Sequence, residues 1–392
     1  MSAMTRRETM RALAVGAAAP AILRGRFTPF AQSNATYSAR AIHLVESNVV
    51  VDLLDQFQFP DYAVKPPRID RWLTTPGAFT ADDAARYRSS GITCFCLGDG
   101  ARGYEDGVEL FAKWNGFLAG YSEWLTRIDK ASDFARAKAQ SKIGVMLTLQ
   151  DSTHFRSPDD VDAFFGLGQR ISQLTYNFNN RIGSGFLEER DGGLSVFGHA
   201  IMRRMERVGM AVDVSHCGDQ TTLDALAAAT RPVLFTHATA RALVPGHLRC
   251  KTDDAIRRMA KTGGVMGIAM IRFMVKDSEP VTIEHVLDHV DYVAKLVGIE
   301  HVAIGSDLDV VGNPNAVNGG GFDPRSQPNF SRYQYHEDPD GGITIRGLNH
   351  VRRVFDFTEG LIRRGYTDAQ IAGILGGNAQ RALADIWARP SG

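Results

Sequence analysis

Gly209-Met210-Ala211-Val212-Asp213-Val214-Ser215-His216 is a short β-rich run that ends on a histidine, and Arg231-Pro232-Val233-Leu234-Phe235-Thr236-His237 repeats that arrangement one helix-length later. Between them, residues 220–229 carry apolar side chains at helical spacing, so the pair reads as strand, helix, strand. Working outward, six more segments of the same kind appear, at 48–53, 91–97, 143–149, 171–176, 264–269 and 301–305. Helical periodicity follows most of them, most clearly at 196–208, 253–261 and 283–297. Strands alternating with helices imply a parallel sheet, and eight such units are the count for a closed α/β barrel of the (β/α)8 TIM type. The tail from residue 349 reads as extra C-terminal helices.

Two stretches depart from the repeat. Residues 107–138 hold Phe111, Trp114, Phe117, Tyr121 and Trp124 three or four apart, which reads as a helix packed on the barrel. Residues 311–347 are rich in Gly, Asn, Pro and Asp and read as a long loop after strand eight, on the face where loops tend to cover an active site.

The N-terminus differs from the rest. Thr5-Arg6-Arg7-Glu8-Thr9-Met10 precedes an Ala-rich apolar run from Ala12 to Leu23, too short for a membrane helix. The paired arginines resemble a bacterial twin-arginine signal, so residues 1–35 are expected to be an export signal and 36–392 a single barrel domain, with a periplasmic destination. The alternative for this segment is a cytosolic amphipathic helix. The chain as a whole is 44% apolar in composition with 44 basic and 44 acidic residues, which allows a full core and leaves no global field to attract nucleic acid. No later stretch is apolar enough for a transmembrane anchor. Four cysteines make no disulfide framework. Cys94 and Cys96 alternate within a strand and point the same way into the core, and a Cys217–Cys250 bridge after export is an option beside plain packing.

In such a barrel the reacting groups stand at the carboxyl ends of the strands. The polar residues there are Asp52 and Asp55 on strand one, Gln150 and Asp151 on strand three, Tyr176 and Asn177 on strand four, His216 on five, His237 on six, and Asp307 and Asp309 on eight. Two histidines ending neighbouring strands suit one metal ion, because neutral imidazole is the commonest protein ligand for zinc. The bland alternative is a pair of hydrogen-bonded strand-end histidines. Asp307 lies where it would take a proton from an activated water or complete the shell, or else serve as a loop-stabilising aspartate.

The runs around these residues are followed by His247-Leu248-Arg249-Cys250-Lys251-Thr252-Asp253, Gly263-Gly264-Val265-Met266-Gly267, Ile304-Gly305-Ser306-Asp307-Leu308-Asp309 and Leu375-Gly376-Gly377-Asn378. In order and spacing, from about residue 170 to 385, they resemble the renal (membrane) dipeptidase family of the amidohydrolase superfamily. The resemblance implies that His216 and His237 are metal ligands, that Asp307 is the catalytic carboxylate, and that Arg249 binds a substrate's terminal carboxylate, a task suited to a bidentate guanidinium. It also implies a small peptide or amide substrate and allows a homodimer.

The departures are specific. Where the family carries His-x-Asp at the end of strand one, this chain reads Asp52-Leu53-Leu54-Asp55-Gln56, with leucine at the expected histidine. The bridging carboxylate after strand three is Gln150, and the histidine after strand four is Tyr176, whose phenol can still donate to an oxyanion. A pair of cations roughly 3.5–4 Å apart needs anionic bridges that are missing here. The expectation is therefore a metal-dependent dipeptidase-like hydrolase with one zinc ion at most, on His216 and His237 with Gln150 or Asp52 as possible further donors. The alternative is a diverged member, with one metal or none, that matures an exported peptide product or only binds carboxylated ligands.

Overall fold

The computed structural model describes residues 23–24, 36–59, 68–310, 345 and 347–388. Eight parallel strands close on themselves: β1 (Val51–Asp55), β2 (Cys94–Leu97), β3 (Ile143–Leu149), β4 (Gln169–Gln173), β5 (Ala211–Asp213), β6 (Val233–Ala238), β7 (Met266–Ile268) and β8 (Val302–Ile304). Each pairs with the next, and β8 returns to β1 through Ile304 opposite Asp52. This is a (β/α)8 barrel. Beyond the last pair, the seam continues as Asp307 N–H donating to the Leu54 carbonyl (2.9 Å) and Gln56 N–H to the Leu308 carbonyl (3.2 Å).

One buried cluster draws side chains from or beside all eight strands, among them Val51, Leu53, Cys94, Cys96, Met146, Ile171, Ala211, Leu234, Val265 and Ala303, so it fills the lumen. Ala379, Ala382, Leu383 and Ile386 of the helix Asn378–Trp387 join it. Cys94 and Cys96 share this face, as their alternation implies. A larger cluster packs the helices on the outside of the sheet. Full burial of each Leu, Ile or Val there stabilises the fold by about 1.5–3 kcal/mol before entropy is counted.

The helices at Val196–Val208, Asp253–Lys261 and Ile283–Val297 coincide with their periodic patterns, and the helix expected at 220–229 spans Asp219–Ala228. Ser195 and Thr252 cap two of them by accepting from Gly198 and Ala255 N–H. Strands β1 and β4 are shifted from expectation. Asn48 still belongs to the C-cap of the helix Ala39–Ser47, so β1 starts later and Asp52 lies within the strand, not at its end. Gly168 takes a left-handed backbone (φ 108°) after the helix Pro158–Leu167 and delivers the chain directly into Gln169, which leaves Tyr176 in the loop beyond β4.

Residues 107–138 are not one helix. A helix spans Tyr104–Gly120 and buries Phe111, Trp114 and Phe117, a three-residue strand follows at Leu125–Arg127, and a second helix spans Ala131–Ala139. The short strand pairs with Ile143–Val145 of β3, on a stretch that β4 does not reach, since β4 joins β3 only from Leu147 onward. All four cysteines are free and buried. Cys217 and Cys250 accept hydrogen bonds from Thr175 and Thr239, so the disulfide option between them is not taken up.

Of the expected export signal, only Leu23–Arg24 is described, as a strand antiparallel to Thr36–Tyr37; the remainder of 1–35 and the long loop at 311–347, except 345 and 347, lie outside the described residues. Among the described residues no helix is long and apolar enough to cross a membrane.

Candidate metal centre and active site

Strand β5 ends on Asp213, whose Oδ1 accepts from Ser215 N–H (3.0 Å) and Ser215 Oγ–H (2.6 Å). This Asx turn bends the chain out of the sheet and presents His216 at the barrel mouth. His237 comes from the end of the neighbouring β6. The two Nε2 atoms lie 2.9 Å apart, and both rings are buried.

Their hydrogen bonds fix the tautomers. His216 Nδ1 lies 2.7 Å from Asn177 Oδ1, an acceptor, so Nδ1 carries the proton. His237 Nδ1 lies 2.8 Å from Thr236 Oγ1. The Thr236 hydroxyl donates to Asp213 Oδ2 (2.7 Å), so it can only accept from the ring, and again Nδ1 carries the proton. Both Nε2 lone pairs therefore face each other. Burial first, and the Arg249 charge second, hold both imidazoles well below the usual histidine range, so a proton does not readily resolve the conflict. Zinc–imidazole bonds are about 2.0–2.1 Å, so nitrogens this close can meet one ion. The pair thus offers a divalent cation two converging imidazole donors.

Arg249 is almost fully buried and donates to the carbonyls of Ser215 (2.5 Å) and His237 (2.8 Å), tying the two histidine-bearing segments together. Lys251 supports the same turn through the carbonyls of Val214 (2.7 Å) and Cys217 (3.0 Å). Tyr176 lies flat on His216, ring centroids 4.3 Å apart, and Phe186 meets that ring at 61°. Desolvation, with the Asp307 charge second, pushes the Tyr176 phenol up to about 12, so at neutral pH it is a donor.

Asp307 sits in the left-handed region (φ 58°) just past Gly305, where an added Cβ would meet the Thr236 carbonyl oxygen at 1.8 Å. Only glycine lets the chain pass so close to β6 before turning. Burial pushes the Asp307 carboxyl up to about 7 against the opposing pull of Arg249 and of a hydrogen bond from Gln56 Nε2 (3.1 Å).

The other expected donors are placed elsewhere. Asp52 turns both oxygens to Ser306, accepting from its N–H (2.8 Å) and hydroxyl (2.5 Å), and the position within β1 explains why it does not reach the histidine pair. Gln150 donates its amide to the Gly98 carbonyl (2.8 Å). Asp55 pairs with the buried Arg353 at 3.0 Å. Among the described residues no group of three or more His, Cys, Asp or Glu side chains is arranged to hold a metal. Thr236 and Gln56 were not singled out from the sequence. Thr236 had a signal, since a hydroxyl beside a strand-end histidine is a ready partner for the ring.

The family model for membrane dipeptidase (peptidase family M19) matches residues 93–320 and 336–388. Dipeptidase tcpJ of Claviceps purpurea is 28% identical over 270 residues, 68% of this chain and 56% of that protein. Dipeptidase verJ of Clonostachys rogersoniana is 32% identical over 232 residues, 59% of this chain and 52% of its own. The chain thus spans about half the length of the curated relatives it matches. Among solved structures, an amidohydrolase from Pseudomonas aeruginosa superposes with a TM-score of 0.73 at 25% identity, covering 88% of this chain and 99% of that one. A metallo peptidase from Rhodobacter sphaeroides, liganded with a phosphinate mimic of the dipeptide L-Ala-D-Ala, shares the fold at a TM-score of 0.67 and 17% identity, covering 87% of this chain and 100% of its own. With the matched segments spanning most of the barrel, the chain belongs to the membrane dipeptidase family, peptidase family M19.

Proposed function

We propose that this protein is a metal-dependent, dipeptidase-like hydrolase of small peptide or amide substrates, with one zinc ion held by His216 and His237. The observation that carries the reading is the pair of inward-facing Nε2 lone pairs, each fixed by an acceptor on the far side of its ring. Bound there, a divalent ion supplies Lewis-acid polarisation of a carbonyl and a lowered pKa for water.

The chain's own groups divide the remaining work. Asp307, poised at about 7, accepts and returns a proton near neutrality. Tyr176 keeps its proton and donates to the developing oxyanion. Arg249 commits two of its five N–H groups to backbone carbonyls and offers its charge to a substrate carboxylate. The basic-then-apolar N-terminus supports export by the twin-arginine route to a periplasmic location, with 1–35 as the signal and 36–392 as one catalytic domain.

Elemental analysis of the isolated protein, followed by a dipeptide screen with zinc added, tests the reading. One equivalent of metal and turnover that Asp307→Asn abolishes are expected. Two tightly bound equivalents overturn the single-ion site, and full activity in Asp307→Asn overturns the assigned proton carrier.

A further inference from the structure

Gln56 lies at the end of the first strand, on the side of the seam opposite Asp307. Its Nε2 donates to Asp307 Oδ1 at 3.1 Å. The bond spans 251 positions of sequence and is flanked by two backbone bonds across the same seam, Asp307 N–H to Leu54 and Gln56 N–H to Leu308. The other face of the carboxamide rests on Gly98. A Cβ added there would meet Gln56 Nε2 at 2.7 Å and its Cδ and Oε1 at 2.9 Å, so the glycine leaves room for the amide and nothing more. Gly98 is itself fixed, since its N–H donates to the Asp55 carbonyl (3.0 Å) and its carbonyl accepts from Gln150 Nε2 (2.8 Å). The ends of β1, β2, β3 and β8 thus form one chain of contacts that ends on a carboxylate oxygen.

From this arrangement we propose that Gln56 is a positioning residue: with Gly98 behind it, its amide fixes the orientation of the Asp307 carboxylate and favours its charged form. The inference rests on the hydrolase reading for its consequence in turnover, but the bond itself is testable without any reaction. An amide donor beside an acid does what a second acid cannot. Two carboxylates so close resist ionising together, whereas a neutral donor stabilises the charged form and leaves a single group to exchange the proton. The other charged and titratable groups that act on Asp307 are Arg249 from the loop after β6, Asp52 from β1 and Asp309 from its own loop, with Tyr176 in the loop after β4.

The test is a pH titration of metal-free protein followed by infrared difference spectroscopy, with the Asp307 carboxyl band identified by its loss in Asp307→Asn. Gln56→Leu removes the donor at similar volume, and the Asp307 midpoint is expected to rise by about one pH unit. Gly98→Ala leaves Gln56 chemically intact and pushes its amide away, so a smaller rise is expected. With zinc and a dipeptide, Gln56→Leu is expected to lower kcat about tenfold with KM unchanged. An unchanged midpoint in both variants overturns the inference, as does a rise in KM at constant kcat. Absence of turnover in the unaltered protein overturns the hydrolase reading alone, because the infrared titration still decides the role of Gln56.

Discussion

His216 and His237 aim their Nε2 atoms at each other across 2.9 Å while each ring's Nδ1 proton is held by a fixed oxygen, that of Asn177 for one and that of Thr236 for the other. Partners of this kind set both the tautomer and the orientation of a ligand ring. Asn177→Ala and Thr236→Val are each expected to weaken zinc binding about 10- to 100-fold with the fold intact. Competition against a chromophoric chelator measures this, and affinity equal to that of the unaltered chain in both variants would show that the oxygens do not act through the rings.

Asp307 links stability to pH. Its carboxyl is raised from 3.8 to about 7 in the folded chain, so the folded state favours the protonated form. The associated stability is fully present below about pH 4 and is lost as pH rises through 7. Asp307→Asn escapes that loss and keeps an oxygen for Gln56. It is expected to match the unaltered protein near pH 4 and to exceed it by about 4 kcal/mol at pH 8 in urea unfolding.

Arg353, almost fully buried, pairs with Asp55 and also donates to the carbonyls of Asp309 (2.6 Å) and Val310 (3.0 Å). Desolvation already pushes the Asp55 carboxyl well above the usual range, with Arg353 as the main opposing influence. Arg353→Met leaves that carboxylate unpaired, and a loss of about 3–5 kcal/mol is expected. The loss grows as pH rises, because protonation at low pH relieves the unpaired charge. A pH-independent loss in chemical denaturation would assign the whole effect to the two carbonyls.

The four thiols are buried and unpaired. Burial pushes those of Cys217 and Cys250 up to about 11, so neither is a ready thiolate at neutral pH. A chromogenic disulfide reagent is expected to find no reactive thiol in the native protein and four after unfolding. Two after unfolding would restore the disulfide between Cys217 and Cys250.

The barrel was largely legible because each strand–helix unit is a local pattern. Strand β3 and the helices at Val196–Val208, Asp253–Lys261 and Ile283–Val297 match their sequence signals residue for residue. The strand Leu125–Arg127 has three residues, too few for an alternation to show. For the site, His216, His237 and Asn177 could be read because each stands at or just past the end of its own strand. Asp52 was misplaced because a shift of a few residues in where β1 begins moves it from the strand end into the strand. The Gln56–Asp307 bond had no local sign, since it exists only where the first and last strands meet.

That meeting gives the two halves of the site different histories within one molecule. His216 and His237 stand on adjacent strands joined by a single helix, so a cation could be captured by a part-formed sheet. Asp307 and Gln56 come into register only when β8 docks on β1, the strand pairing with the greatest chain separation and so the one with the largest loop-closure cost. On the proposed reading, a molecule whose ring is open at that junction would hold metal yet be inert, so metal content would count folded sheet, and turnover alone would count closed barrels.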